Sequence, residues 1–239
     1  MRQLTIWLKR DAVALPAGQA LLTFDDGPNA TEEITRRLLQ TLADFGVRAA
    51  FCVCGCAVDE CPSLTAEIHS SGHILVNHTH AHRVTDLFQA KALIHEIQRC
   101  DRAIGNALGV RDYRSRFFRP PGGLYMPSVN RVLKEMPLEL MPLTFYAWDT
   151  CSDSANANRV IHHTVTAAIR DGGGVFVLHD GLLDCYPWTM NSVPIWRKGV
   201  DRTWIPGAVA SIIDRVRKAG ISFADPAQLP APFVLRESG

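Results

Sequence analysis

Short apolar runs alternate along the chain with longer stretches in which apolar residues recur every three or four positions. Leu21 to Phe24 reads as a strand. So do Ala49 to Val53, Ile74 to Val76, Phe117-Phe118, Thr144 to Trp148, Val175 to Leu178 and Ile221 to Phe223. The helical pattern predicts a helix over Thr31 to Phe45, with Ile34, Leu38, Leu39, Leu42 and Phe45 on one face and Gly46 as its stop. Further helices are predicted from Pro62 to near Gly72, from about Lys91 to Leu108, over Ser128 to Met136, over roughly Ala157 to Arg170, and over Ala208 to Lys218. Gly172-Gly173-Gly174 reads as a helix stop and turn. Strands that alternate with helices imply a parallel sheet, open or closed into a barrel. Seven strands in one domain favour an incomplete or distorted barrel over a flat sheet. No linker, repeat or low-complexity tract interrupts the 239 residues, so one domain over 1–239 is expected.

Ligands of parallel α/β folds bind at the carboxyl ends of the strands, so the residues just beyond each strand carry the argument. Asp25-Asp26-Gly27-Pro28 follows the first strand and Asn77-His78-Thr79-His80-Ala81-His82 the third. Arg119-Pro120-Pro121-Gly122-Gly123 follows the fourth, Asp149 and Asp153 the fifth, and His179-Asp180-Gly181 the sixth. Neighbouring carboxylates at a strand end can diverge, one toward a cation and one toward a proton. His78 and His82 are spaced for one face of a helical turn. With one carboxylate they form a His₂Asp set, which leaves positions on a metal open for water and substrate. Asp-Asp-Gly-Pro alone is a good turn, and His-x-x-x-His alone is often a solvated helix face. Following strands of one sheet, the two together point to a site. His80, between the two histidines, is expected to point away. His162-His163 fall in a helix and read as surface or packing residues.

Charge and composition narrow the function further. Twenty-five Lys+Arg face 24 Asp+Glu, so there is no basic excess to neutralise phosphates and nucleic acid is not expected as a partner. No apolar run reaches the ~18–20 residues of a membrane helix, and no membrane association is expected. The start, Met1 to Leu8 followed by Lys9-Arg10-Asp11, is too short for an export signal, so a cytoplasmic location is expected. Seven cysteines at 52, 54, 56, 61, 100, 151 and 185 are odd in number and do not form a secreted disulfide framework. Cys52 and Cys54 continue a strand alternation and read as core. No nucleophile elbow, phosphate loop or dinucleotide fingerprint is present. Asn29-Ala30-Thr31 and Asn77-His78-Thr79 match the glycosylation sequon but overlap the candidate site, and read as chance.

These motifs resemble those of the polysaccharide deacetylases with the NodB homology domain, carbohydrate esterase family 4. Thr23-Phe24-Asp25-Asp26-Gly27-Pro28 is similar to the family's first motif and Asn77 to His82 to its second. Arg119 to Gly123 is similar to the third, Asp149 to part of the fourth, and Val177-Leu178-His179-Asp180 to the fifth. Order and spacing agree over about 20–229. The resemblance implies a distorted (β/α)7-type barrel that hydrolyses an N-acetyl group from an amino sugar with one divalent metal, usually zinc. It implies Asp26, His78 and His82 as metal ligands and Asp25 as the general base. Arg119 would hold Asp25, and His179 would be the acid that protonates the leaving amine. A backbone N–H near Gly122 would face the oxyanion, and Leu178 would line the acetate-methyl pocket. Either Asp149 or Asp153 would tune His179. The third motif usually has an aromatic residue where Gly122 stands, and the fourth ends on Asp-Trp where this chain has Asp153-Ser154.

The substrate expected on this basis is a small N-acetylated sugar or chitin-type oligosaccharide. The alternatives are amide hydrolysis of a non-sugar metabolite at the same site, and a silent carbohydrate-binding barrel. From Leu182 to Pro206 the chain has no clear period, yet it carries Trp188, Trp196 and Trp204. A segment of that length inside a compact domain is functional or disordered. It could cover the site, with Trp188 or Trp196 stacking on substrate, or the tryptophans could pin it to the barrel.

Overall fold

The computed structural model describes residues 15–181 and 201–229. Its eight strands are β1 (Gln19–Asp25), β2 (Ala50–Val53), β3 (Ile74–Asn77), β4 (Phe117–Phe118), β5 (Glu139–Leu140), β6 (Phe145–Tyr146), β7 (Gly173–His179) and β8 (Ser222–Phe223). The helices are α1 (Ile34–Asp44), α2 (Gly55–Glu60), α3 (Pro62–Ser70), α4 (Ala90–Leu108), α5 (Pro127–Glu135), α6 (Ala157–Asp171) and α7 (Ile205–Lys218). All strand pairs are parallel, in the order β5-β4-β3-β2-β1-β7-β6. β7 runs along the whole of β1 on one side. On the other side β8 pairs with its start and β2 with its end. Among the described residues no ladder joins β5 to β6, so the structure is a parallel half-barrel.

Strand alternation divides the core in two. Leu21, Ala50, Cys52, Val76, Phe117, Met141 and Val175 fill the barrel interior. Their neighbours Leu22, Phe24, Phe51, Phe176 and Leu178 face outward onto Leu38 and Leu42 of α1 and Ile212 of α7. Each large apolar side chain buried this way stabilises the fold by about 1.5–3 kcal/mol. α4 shows why its sequence is helical: Leu93, Ile97, Cys100 and Ile104 recur on one face and are buried, and Gly109 ends it in the left-handed conformation.

Three features depart from the sequence pattern. β5 has only two residues and α2 only six, too short for a periodicity to show. The third departure is at Gly172-Gly173-Gly174. Gly172 does cap α6, at φ +66°, but Gly173 and Gly174 are the first residues of β7. Gly173 has φ +123°, and a Cβ there would lie 2.0 Å from the Gln19 carbonyl oxygen on β1. Only glycine lets the two central strands approach this closely. Cys52 and Cys54 are buried, and burial pushes both thiols well above their ordinary range. No described helix is long and apolar enough to cross a membrane.

Gly173→Ala is expected to destabilise the protein by more than about 1 kcal/mol, through the positive φ and the strand clash together. The melting temperature should fall by at least about 2–4 °C. An unchanged melting curve would show that β1 and β7 can separate at this point without loss.

Candidate active site

Five strand ends converge on one rim. Asp25 is the last residue of β1 and is in register with His179, the last of β7. Successive residues in a strand face opposite ways, so two adjacent aspartates should not share a site. Asp26 overcomes this by leaving the strand at φ +70°. His82 (φ +52°) and Thr79 (φ +66°) are likewise left-handed in the loop after β3. Left-handed backbone at non-glycine residues costs on the order of 1–3 kcal/mol each and clusters where function requires it.

Asp26, His78 and His82 form one buried cluster, with a ligand atom from each within 4.8 Å of the others. Asp26 Oδ1 lies 3.2 Å from His82 Nε2 and 3.5 Å from His78 Nε2, and the two Nε2 atoms are 3.2 Å apart. The hydrogen bonds decide what these atoms can do. His78 Nδ1 is 2.7 Å from the Arg119 carbonyl oxygen, which can only accept, so the proton is on Nδ1. His78 Nε2 faces a carboxylate oxygen and a second imidazole nitrogen. Burial lowers the His82 pKa to about 4, against the pull of Asp26, so this ring is neutral at neutral pH. Burial also disfavours the Asp26 charge, but His82, His78 and His179 outweigh it and hold the carboxyl well below the usual range. Two imidazoles with one carboxylate, their ligand atoms gathered within 4.8 Å, are a donor set for a divalent transition metal.

A second tier of bonds fixes this cluster. Thr79 Oγ1 accepts from the His82 N–H at 3.1 Å, and Asn77 Oδ1 from the Thr79 N–H at 3.0 Å. Asn77 in turn donates to Asp101 of α4 at 2.8 Å. Glu96 of α4, also buried, accepts from the Ala81 N–H at 2.8 Å. His80 turns away from the cluster and meets Asp59 at 3.0 Å. His162 and His163 are exposed on α6.

Beside the cluster, Arg119 is fully buried, and its Nη1 donates to Asp25 Oδ1 and Thr23 Oγ1, each at 2.6 Å. Burial opposes the guanidinium charge, but Asp25 more than offsets this and keeps it protonated. Asp25 Oδ2 lies 3.8 Å from His78 Nε2. On the opposite side, His179 Nδ1 meets Asp149 Oδ1 at 3.0 Å, and the His179 N–H donates to Asp149 Oδ2 at 2.8 Å. Burial alone would lower the His179 pKa, but Asp149, with smaller contributions from Asp26 and Asp25, raises it to about 9. Asp180 accepts from Thr35 Oγ1 at 2.5 Å, and its backbone carbonyl accepts from Asn29 Nδ2 at 3.0 Å. These bonds bind the turn after β1 to the end of β7. Burial pushes the Asp180 carboxyl up to about 6.

Two expected site residues lie elsewhere. Asp153 is exposed and accepts from the backbone and side chain of Asn156, so Asp149 alone pairs with His179. Leu178 faces the helix layer, because side chains alternate along β7. Val177, two residues before His179, shares the histidine's face and is buried. Gly122 sits in the turn after β4 at φ +64°, a conformation that disfavours the aromatic residue usual in the family. Trp188 and Trp196 lie outside the described residues. Trp204 donates to the Asp201 carbonyl at 3.0 Å at the start of α7, as a pinning residue would.

One site residue has no signal in the sequence. Arg202 is buried, and its Nη2 donates to Asp149 Oδ2 at 2.5 Å and to the His179 carbonyl at 2.6 Å. Its Nη1 donates to the Asp149 carbonyl at 2.7 Å. It lies just before α7, more than 50 residues from Asp149, and carries no motif of its own.

The molecule is an α/β half-barrel with a candidate metal centre at its strand ends, flanked by a carboxylate–guanidinium pair and an imidazole–carboxylate pair. Comparison with known proteins gives the family: the polysaccharide deacetylase model matches residues 12–141, and the chain belongs to that family. It is similar to a chitooligosaccharide deacetylase of Rhizobium leguminosarum bv. trifolii, with 37% identity over 163 residues, 67% of this chain and 70% of that one. It is also similar to a peptidoglycan-N-acetylglucosamine deacetylase of Bacillus cereus, 29% identical over 192 residues. That match covers 76% of this chain but 65% of the relative's length. The fold matches the crystal structure of a polysaccharide deacetylase from Bacillus cereus, with a TM-score of 0.66 at 23% identity, over 88% of this chain and 93% of that one.

Asp26→Ala and His78→Ala should each abolish binding of a divalent ion in a calorimetric titration. Thr79→Ala, which unties the His82 backbone, should weaken binding by about 10–100-fold. Unchanged stoichiometry in both ligand variants would overturn the assignment. In metal-free protein, His179 should titrate near 9 by NMR. Because that value is raised above the ordinary 6.5, the bond to Asp149 adds stability that is complete below pH 6.5 and lost as pH rises through about 9. Asp149→Asn should move the titration downward, since burial is then less opposed; no movement would show that Asp149 is not what raises it.

Proposed function

We propose that the protein hydrolyses the N-acetyl group of a chitin-type amino-sugar oligosaccharide, releasing acetate and a free amine. The observation that carries this reading is the placement of a base, an acid and a cation site on one rim, with base and acid on adjacent strands. A silent carbohydrate-binding barrel would need neither the buried Arg119–Asp25 pair nor the buried Asp149–His179 pair, each expensive to desolvate. The resemblance to a chitooligosaccharide deacetylase supports an oligosaccharide over a non-sugar amide.

Asp26, His78 and His82 would hold the ion, and their two nitrogens and one oxygen suit zinc. When bound it supplies positive charge that makes water easier to deprotonate and polarises the acetamide carbonyl. Arg119 holds Asp25 by Oδ1 and leaves Oδ2 directed toward the cluster, where it takes a proton from the attacking water. The oxygen of that water bonds to the acetyl carbon, and the carbonyl oxygen becomes an oxyanion. A backbone N–H in the Gly122 turn donates to it. Asp149 favours the protonated form of His179 and engages its Nδ1 proton, so Nε2–H is the proton delivered to the amine as the C–N bond breaks. Val177 packs on the same face as His179 and walls the space for the acetyl methyl group.

Acetate release from N-acetylglucosamine and its dimer to hexamer tests this reading directly. The wild-type protein should release one acetate per amine formed, and Asp25→Asn should retain the ion while turnover falls by about 10²–10⁴-fold. Release from none of these sugars would overturn the proposal. Near-normal kcat in Asp25→Asn would remove that residue from the base role.

A further inference from the structure

Trp148 is out of keeping with its surroundings. Four large apolar side chains are well exposed among the described residues, and Trp148, at 63%, is one of two above 60%. Its backbone is left-handed, at φ +59°, ψ +25°. A bulky side chain is disfavoured there by contact of its Cβ with the following carbonyl. The turn on its C-terminal side imposes this conformation. The Trp148 carbonyl accepts from the Cys151 N–H at 3.3 Å and from Ser152 Oγ at 3.0 Å, and Asp149 is locked by Arg202 and His179. This turn carries Asp149 inward to the acid and leaves the indole outside. The adjoining Ala147 is buried, so exposure begins abruptly at Trp148.

The indole is joined to the reaction centre by ring contacts. Tyr146 packs edge-on against the His179 ring, with centroids 5.4 Å apart at 68°. Trp148 packs edge-on against Tyr146, with centroids 5.2 Å apart at 81°. Tyr146 is itself fixed through its hydroxyl, 2.8 Å from Thr150 Oγ1. An edge-on contact occupies the side of one ring and leaves a face of the other open. Trp148 thus presents a flat, positioned apolar surface one ring beyond the acid. Scattered exposed apolar residues require no explanation. One that is conformationally strained, braced, and in a line of rings from His179 does.

We propose that Trp148 is a substrate-binding residue, stacking on the C–H face of a pyranose adjacent to the sugar that loses its acetyl group. The inference rests on the function proposed above and adds to it a preference for oligomers over the single sugar. The interposed Tyr146 ring keeps Trp148 from reaching the sugar at His179 and sets it beside the next one. Aromatic rings provide such contacts at small entropic loss, since only two side-chain torsions are fixed.

The test compares wild type, Trp148→Phe, Trp148→Ala and Trp148→Gly on N-acetylglucosamine tetramer, on the monosaccharide, and on 4-nitrophenyl acetate, which has no sugar. For the tetramer, Ala and Gly should raise KM about tenfold and change kcat by less than about threefold, with Phe in between. The tetramer-to-monosaccharide ratio of kcat/KM should fall correspondingly. Trp148→Gly should also raise the melting temperature by about 2 °C, because glycine relieves the left-handed strain. Weaker substrate binding in a more stable protein is a combination that a packing role cannot produce. If wild type cleaves the tetramer and all three variants keep its KM, the inference fails and the proposed function stands. If the variants lose 4-nitrophenyl acetate hydrolysis in equal measure, Trp148 acts on the acid and not on a sugar, and the inference also fails. If wild type deacetylates no sugar at all, the function proposed above fails, and this inference with it.

Discussion

A guanidinium with no access to water must find all its partners inside the protein, and much of the structure depends on how Arg119 does so. Its side chain leaves β4, enters the barrel, and reaches Thr23 and Asp25 on β1 and the Pro142 carbonyl at 2.6 Å. Pro142 lies in the link between β5 and β6, so the cation joins that link to β1 across the barrel interior. Its own carbonyl accepts the Nδ1 proton of His78. One residue therefore orients the proposed base by its side chain and a candidate metal ligand by its backbone. Removing either member of a buried ion pair strands the other charge, typically at about 3–5 kcal/mol. Asp25 is accordingly a structural counter-ion as well as the proposed base, and its position cannot drift without unfolding the bond network around it.

The remaining site geometry is held by bonds that reach back into rigid elements. Three of the six described non-glycine residues with positive φ are Asp26, Thr79 and His82, and a fourth is Trp148. Such strain persists only where the surroundings over-determine it. α4 does this for the histidine loop, through Asp101 on Asn77 and Glu96 on Ala81. Arg202 does it for Asp149 and His179. The strain is concentrated at the strand ends because there the chain leaves the ladder and must aim side chains against the alternation of the strand.

Much of this is legible in the residues. Asp25, Asp26, His78, His82, Arg119 and His179 each stand within a residue or a short loop of a strand end, and parallel topology alone gathers strand ends at one rim. The half-barrel follows from the alternation of strands and helices. The parts that are not legible have physical reasons. β5 is too short to carry a period. Adjacency to His179 suggests Leu178 for the site, whereas strand geometry gives that position to Val177 and turns Leu178 to α1 and α7. Asp153 and Asp149 are indistinguishable along the chain, and only the folded turn shows which carboxylate points inward. Arg202 has no local signature, because its role arises only when α7 packs beside β6 and β7. Trp148 ends a regular apolar run, and only its left-handed backbone sets the indole outside.

The register of β1 with β7 also bears on the order in which the site comes into being. The three candidate ligands and Asp25 fall within residues 25–82, and β1, β2 and β3 lie side by side, so these strands meet through contacts of modest sequence separation. His179, the proposed acid, reaches Asp25 only across a separation of more than 150 residues, when β7 docks along the whole of β1. Closing so long a loop is slow relative to local pairing. In a chain made from its N-terminus, the residues of the candidate cation cluster are also synthesised well before the proposed proton donor. The candidate ion site thus rests on pairing close in sequence, and the proposed acid–base pair on the docking of β7 along β1.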